Sequence, residues 1–115
     1  MANAGLGRLF ERITIEQSTP STNTQGGQTL TWSTLAQVWA AVRPLRGAAR
    51  EQLQAQKVGA IIAHEVEILY RADVTPKMRI AWTPYGGSAK TLEVHGVYPK
   101  DGRRNRLLLE CSEAA

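Results

Sequence analysis

The stretch Pro44–Tyr70, PLRGAAREQLQAQKVGAIIAHEVEILY, joins two segments with different periodicities and decides the fold. Residues 47–57 are mostly strong helix formers, and the interior of this segment contains no Gly or Pro. Residues 61–70 instead alternate as in a strand. One face has Ile62, His64, Val66, Ile68 and Tyr70, and the other has Ile61, Ala63, Glu65, Glu67 and Leu69. We therefore expect one short helix inserted into a chain that is otherwise β.

The rest of the chain contains alternating apolar residues that predict five further strands. The phase of these strands turns the following side chains inward: Ile13, Ile15, Trp32, Val38, Ala40, Val42, Met78, Ile80, Trp82, Leu92, Val94, Tyr98, Leu107, Leu109 and Cys111. Six closely spaced strands with short turns predict a mainly β fold, a small six-stranded barrel or sandwich. The length of 115 residues fits a single domain spanning residues 1–115.

Four irregular segments interrupt or flank these strands. Residues 18–28, STPSTNTQGGQ, predict a long polar loop or a mobile hairpin tip, with a binding role and simple tolerance of insertion equally open. Residues 1–9 predict a flexible or partner-ordered N-terminal arm, and residues 112–115 predict a frayed tail. A change of phase at residues 33–36 predicts a bulge, and Gly96 predicts another bulge or a close approach.

The inserted helix has a thin apolar stripe made of Leu53 and a few alanines. At ~25 cal/mol per Å2, so small a surface contributes only a few kcal/mol on burial. We expect the insert to be loosely held in a lone chain and ordered when something packs on it. Trp39 lies on the strand face opposite the core stripe, and we favour covering by the insert over covering by a neighbouring subunit.

Composition narrows the function classes. The formal net charge of +4 permits nucleic-acid contact without requiring it. The local cluster Arg103, Arg104 and Arg106 fits a solvated turn better than a phosphate contact. The single cysteine, Cys111, excludes an intrachain disulfide and predicts a buried strand residue. No apolar run reaches the ~18 residues of a membrane span, and the first residues lack a signal-peptide core, so we expect synthesis in the cytoplasm.

Candidate catalytic sets are weak. His64 and His95 each fall inside a predicted strand and lack the spacing of metal ligands. Glu65 and Glu67 would suit acid–base chemistry, but two carboxylates on one solvent-facing side of a strand are the commoner explanation. Gly86-Gly87 is not followed by the residues of a phosphate-binding loop. We therefore expect no enzyme activity, no metal and no cofactor.

Several motifs in order resemble the head-tail joining proteins of tailed bacteriophages, also called head closure, stopper or head-tail adaptor proteins. These motifs are RITI at 12–15, the polar loop with Gly26-Gly27 before Trp32, VWAAVRPLRG at 38–47, ADVTPKMRI at 72–80, and the closing leucine strand through Cys111. The resemblance covers about residues 8–111. It rests on the order and spacing of the motifs, since each motif alone is weak.

The resemblance implies a small β-barrel with an inserted helix that assembles as a ring, typically twelve-fold. The ring would lie below the portal or adaptor protein and above a tail protein in the virion, after assembly in the host cytoplasm. It would close the DNA channel or dock the tail, with contact to DNA left open and no membrane involved. The residues expected at the subunit interface or channel are Gln25, Gly26, Gly27, Trp39, Arg43, Arg46, Arg50, Leu53, Gln54 and Lys57.

A small β-barrel that binds nucleic acid is the alternative. The net charge, the arginine turn and three tryptophans favour it. The predicted inward phase of Trp32 and Trp82 argues against it, because stacking on bases needs exposed aromatic side chains.

Overall fold

The computed structural model describes residues 9, 11–22, 24–56, 61–100 and 105–114. It contains, in chain order, β1 (Glu11–Thr22), β2 (Gln28–Pro44), α1 (Gly47–Ala55), β3 (Ile61–Leu69), β4 (Arg79–Trp82), β5 (Lys90–Pro99) and β6 (Arg106–Ala114). The predicted mainly β fold with one short inserted helix is confirmed. Residues 1–8 of the N-terminal arm predicted at 1–9 and the turn residues Arg103 and Arg104 lie outside the described residues, whereas Leu9 is buried, so the arm prediction is wrong for that residue.

The six strands form one antiparallel sheet that closes on itself in the order β1-β2-β3-β6-β5-β4. The ring is completed by β1 and β4, which pair over Ile13–Glu16 and Arg79–Trp82. Full closure removes the open edges of a sheet wherever the ring is complete. Outside that short seam, β1 and β2 continue as a two-stranded hairpin.

The core lies inside this ring and is built by the inward phase of each strand. Ile15, Ile68, Ile80, Leu92 and Leu109 are fully buried. Val38, Val42, Met78, Trp82 and Val97 pack against the same cluster while partly exposed. The predicted inward faces of β1, β4 and β6 and of the second half of β2 are therefore confirmed, including Cys111.

Two bulges change the phase of the strands. Ile15 pairs with Ala36 but Glu16 pairs with Thr34, so Leu35 is the extra residue, as the sequence predicts. A second register shift falls between Val94 and Gly96, also as predicted.

The prediction that Tyr98 points inward is wrong, because the second bulge reverses the alternation. Val97 packs on the core and Tyr98 is 50% exposed on the outer face. The Tyr98 side chain covers Gly96, where a Cβ would lie 2.8 Å from ring atom Cε2 and from the hydroxyl oxygen. Gly96 therefore serves both as part of a bulge and as a close approach.

Of the two alternatives predicted for residues 18–28, a long polar loop or a hairpin tip, the structure shows the hairpin. Ser18 to Thr22 stay in β1, and pairing continues to the end at Thr22 and Gln28. The tail predicted from residue 112 is wrong. β6 runs to Ala114, which pairs with Ile61, and Ser112 is only 2% exposed.

Helix α1 packs on the outside of the ring, against β3. Its one buried residue, Leu53, joins a small second cluster with Leu45, Ile61 and Ala63. Arg46 precedes the helix without making a side-chain cap, and the first turn contains no acidic residue. Both features leave the helix N-terminus weakly stabilised. Leu53 is therefore the main apolar contact that holds the helix, with Ala49 packing beside it.

Candidate interface surfaces

The hairpin formed by residues 17–33 projects from the ring, and we call it the arm. Its strands pair from Gln17 with Ser33 to Thr22 with Gln28. The described pairing of β1 with β4 stops at Glu16, and that of β2 with β3 begins at Ala40. Both outer edges of the arm therefore lack a neighbouring strand within the described chain. Six paired residues span ~20 Å, which accounts for the elongated molecule of 58 × 33 × 29 Å.

The base of the arm is fixed by one arginine. Arg79 Nε donates to Glu16 Oε1 at 2.6 Å, and its guanidinium lies 4.1 Å from the centroid of the Trp32 ring. Trp32 therefore lies outside the core, beneath a cation, and its predicted inward orientation is wrong. The bulge at Leu35 explains this, since it separates the phase of Trp32 from that of Val38.

The tip of the arm contains the predicted interface residues Gln25, Gly26 and Gly27. All three are exposed, and Gly26 has φ +83°, a conformation that glycine adopts without strain. The entire arm contains no charged residue. Its chemistry therefore suits hydrogen bonding to another backbone better than attraction to phosphates.

The insert brings together four more of the predicted residues. Arg46 and Arg50 are exposed, whereas Leu53 is 4% exposed against β3. Gln54 Oε1 accepts a hydrogen bond from the Ile61 amide at 3.2 Å and so links the helix to the following strand. Lys57 lies outside the described residues. The insert exposes Arg46, Arg50 and the anion Glu51 on its outer face and uses Leu53 and Gln54 for its own attachment.

Arg43 belongs to an ion cluster on the outer face of β2, β3 and β6 that we call the Glu67 cluster. Glu67 is only 4% exposed and accepts from Arg43 at 2.9 Å, Arg106 at 2.8 Å and Lys100 at 3.3 Å. Arg43 also bridges to Glu65 at 2.9 Å. The solvent-facing position expected for Glu67 is therefore wrong, because its carboxylate sits beneath three cations.

Electrostatics in the Glu67 cluster favour the charged forms. Burial alone would raise the pKa of Glu67, but hydrogen bonds from Arg43 and Lys100 hold it below its ordinary value. Burial alone would lower the pKa of Arg43, but its hydrogen bonds to Glu65 and Glu67 raise that pKa above the ordinary value. The cluster fixes the strand that leads into the insert, so Arg43 has a structural role whether or not it also meets a neighbour.

Trp39 is not covered by the insert, and that prediction is wrong. Its side chain is 43% exposed, and the guanidinium of Arg12 lies 5.2 Å from its ring centroid. Leu69 and Tyr70 are 40% and 37% exposed beside it. These residues line a surface cleft of about 340 Å3, which we call the aromatic cleft, together with Gln37, Val38 and Arg71.

Both histidines and Cys111 are engaged within the fold. His64 Nε2 is 3.0 Å from Glu113, and His95 Nε2 is 2.7 Å from Ser112 Oγ. Burial raises the pKa of the Cys111 thiol well above its ordinary value, so this thiol is unreactive in the fold. In the described part of the chain, no group of three or more acidic, histidine or cysteine side chains could hold a metal ion. No described helix is long and apolar enough to span a membrane.

Sequence reasoning found the insert and the arm tip but missed the Glu67 cluster and the outward face of β5 and β6. The partners of Glu67 are up to 39 residues away in sequence, and only sheet register brings them together. The charge alternation of β3 and the lone Arg106 in an apolar strand were the available signals, and neither identifies a partner.

Comparison with known proteins supports one family. A family model described as phage head completion protein matches residues 5–114. A protein from Shigella flexneri 2a, whose structure was solved in solution, is 28% identical, with a TM-score of 0.72 over 99% of this chain and 98% of that chain. A chain from the virion of a native gene transfer agent particle has the same fold, with 15% identity and a TM-score of 0.60 over 94% of this chain and 96% of its own. None of the curated proteins compared with this chain matches it.

Proposed function

Since the chain belongs to the phage head completion protein family, we propose that it forms a ring in the phage head-tail connector, below the portal or adaptor protein. The ring closes the DNA channel, docks the tail, or does both. Family membership itself makes the chain a structural phage head protein of the virion, and this family is not a known enzyme family. Association with other head or tail proteins follows from the same membership.

The observation that carries the proposal is the arm. An isolated two-stranded hairpin is marginally stable in water, and free strand edges invite pairing with another chain. This arm has two such edges, with Leu30 60% exposed opposite Pro20. A monomer gains little from such an extension, whereas a neighbouring subunit can add a strand to it. The arm thus fits a chain that completes its sheet within an assembly.

The insert supports a position at the channel. Helix α1 has only nine residues and one buried side chain, so it is weakly held in the lone chain. Arg46 and Arg50 point to solvent and are not neutralised by an acidic first turn. A basic, weakly attached segment is suited to face DNA or to be ordered by a neighbour. The proposal therefore assigns protein contacts to the neutral arm and the channel-facing surface to the insert.

Electron microscopy of the full chain, alone and with portal, adaptor and tail proteins, tests ring formation directly. Hydrogen exchange on the same samples adds residue-level information. Peptides covering 18–28 and 47–57 should exchange quickly in the monomer and at least tenfold more slowly in the ring. Peptides from β5, which lies in the closed sheet, serve as the internal control and should change little. A chain that never assembles with these proteins, or whose arm and insert are equally protected alone, would contradict the proposal.

A nucleic-acid-binding module remains the second candidate, because Trp39 is an exposed aromatic side chain next to Arg12 and Arg71. Exposed aromatic residues flanked by arginines suit stacking on single-stranded bases. Binding of a fluorescent single-stranded oligonucleotide to the full chain should then weaken steeply with salt and be lost in Trp39→Ala. Binding that persists unchanged in Trp39→Ala would remove this candidate.

A further inference from the structure

The aromatic cleft has a positive charge, that of Arg12, at its edge. Arg12 is exposed and lies over Trp39, and no ion pair of Arg12 occurs within the described ranges. Arg71, at the other side of the cleft, is already held by Asp73 at 2.9 Å. Apolar side chains that are 37–43% exposed form the floor. The cleft therefore suits an aromatic group accompanied by a negative charge.

A second surface of this chain has the complementary properties, and we call it the tyrosine face. It comprises Gly96 and Tyr98 of β5 with Leu108 and Glu110 of β6, and Glu110 pairs directly with Gly96. The Tyr98 ring lies against Gly96 on one side and is 50% exposed on the other. Glu110 is half-buried next to it and makes no ion pair with any residue of the described segments. The face therefore offers an aromatic side chain beside an unneutralised carboxylate.

The Arg12–Trp39 part of the cleft lies across the barrel from the tyrosine face, whereas its Leu69–Tyr70 part lies at the end of β3, which pairs with β6. In the closed order β1-β2-β3-β6-β5-β4, β1 stands across from β6 and β2 stands across from β5. Arg12 and Trp39 point outward from β1 and β2, and Tyr98 and Glu110 point outward from β5 and β6. A ring of many copies requires two different, complementary patches on nearly opposite sides of each molecule. The geometry of this fold satisfies that requirement.

We propose that the aromatic cleft of one copy receives Tyr98 of the next copy, with Glu110 of the second copy paired to Arg12 of the first. This contact rests on the proposed ring and specifies the surfaces that form it. The occupant is a second copy because the same chain carries both halves of the charge and aromatic match. The contact buries side chains that are otherwise exposed and gives both charges a partner.

Charge reversal in the full chain tests the pairing. Arg12→Glu and Glu110→Arg should each raise the protein concentration at which half the chains are assembled by tenfold or more, measured by mass photometry and sedimentation velocity. The double variant restores opposite charges at every contact, so its midpoint should return to within threefold of wild type. Lys77→Glu makes the same charge change as Arg12→Glu, but in an exposed turn, and should leave the midpoint unchanged. Circular dichroism of each variant checks that the fold is retained.

Photo-crosslinking provides a positional test that retains the aromatic shape. The photoreactive residue p-benzoylphenylalanine in place of Tyr98 should crosslink to residues 37–39 or 69–71 of another copy. The same group in place of Tyr85, which is fully exposed in the β4–β5 turn, is the matched control and should not crosslink there.

The outcomes separate this contact from the proposed ring. If rings form with an unchanged assembly midpoint in both charge-reversal variants, or crosslink at other residues, the proposed contact is wrong while the proposed ring stands. Chains that form no ring, alone or with portal and adaptor proteins, would overturn both. Protection of Trp39 by single-stranded DNA without any contact between copies would identify the cleft as a nucleic-acid site and also overturn the contact. Crosslinking to the cleft together with rescue by the double variant would establish it.

Discussion

Replacing Glu67 by glutamine removes the negative charge at the centre of the Glu67 cluster while keeping nearly the same volume. The side chains of Glu67 and Arg106 are 6% and 14% exposed, so their ion pair is largely shielded from water. Breaking a buried pair costs ~3–5 kcal/mol. Arg43 and Lys100 are each 42% exposed, and their pairs with Glu67 contribute at most ~1 kcal/mol each.

Glutamine retains one acceptor oxygen, and the two exposed cations regain contact with water in the variant. We therefore expect Glu67→Gln to lower the free energy of unfolding by about 3 kcal/mol at neutral pH. Urea denaturation is the suitable assay, because a charged denaturant would screen the cluster. Glu65→Gln is the matched control. Its pair with Arg43 is 30% and 42% exposed, so its loss should cost less than ~1 kcal/mol.

The pH dependence gives a second check. The folded pKa of Glu67 lies below its ordinary value, so the cluster stabilises the fold at pH above the unfolded pKa and loses this contribution as pH falls through the folded pKa. The stability difference between wild type and Glu67→Gln should be full at neutral pH and shrink below about pH 4. A difference no larger than that of Glu65→Gln, or one that persists undiminished in acid, would refute the reasoning.

Three further changes have defined outcomes. Leu53→Ala should release α1 without opening the barrel, because the two lie in separate apolar clusters. Amide hydrogen exchange at 47–55 should rise at least tenfold while β5 stays protected. An equal loss of protection in both regions would contradict the separation of the clusters. Gly26→Ala should destabilise the arm by ~1–2 kcal/mol because of its φ of +83°, and Gly26→Asn should cost less when the two are compared by denaturation. Cys111 should react with a thiol reagent only at the rate of unfolding, and labelling of the native chain within seconds would disprove its burial.

The strands were predictable because each has an apolar side facing one core. Ile13, Ile80 and Leu109 needed only alternation to be placed correctly. The helix was predictable from its composition and from the change of period at Ile61. The bulge at Leu35 was detectable because it shifts an apolar pattern by one residue.

Other features could not be predicted from local pattern. The arm is built mostly from Ser, Thr, Gln and Gly, which lack the apolar alternation that identifies a strand, so the sequence did not decide between a loop and a hairpin. The outward turn of Tyr98 follows from a bulge whose exact position alternation did not fix. The Glu67 cluster and the cation over Trp32 depend on residues brought together by closure of the sheet. Six of the ten predicted interface residues lie on exposed surfaces, whereas Leu53, Gln54 and Arg43 are engaged within the chain.

The seam between β1 and β4 has a consequence for the order of folding. It consists of four residue pairs, and its ion pair joins Glu16 to Arg79, 63 residues apart in sequence. Contacts so distant form slowly, because the chain between them must be ordered first. β6 pairs with both β3 and β5, so a chain still emerging from the ribosome holds an open sheet until its last strand is made. Only a chain in which β6 has been made therefore presents the closed barrel that a neighbouring copy would recognise.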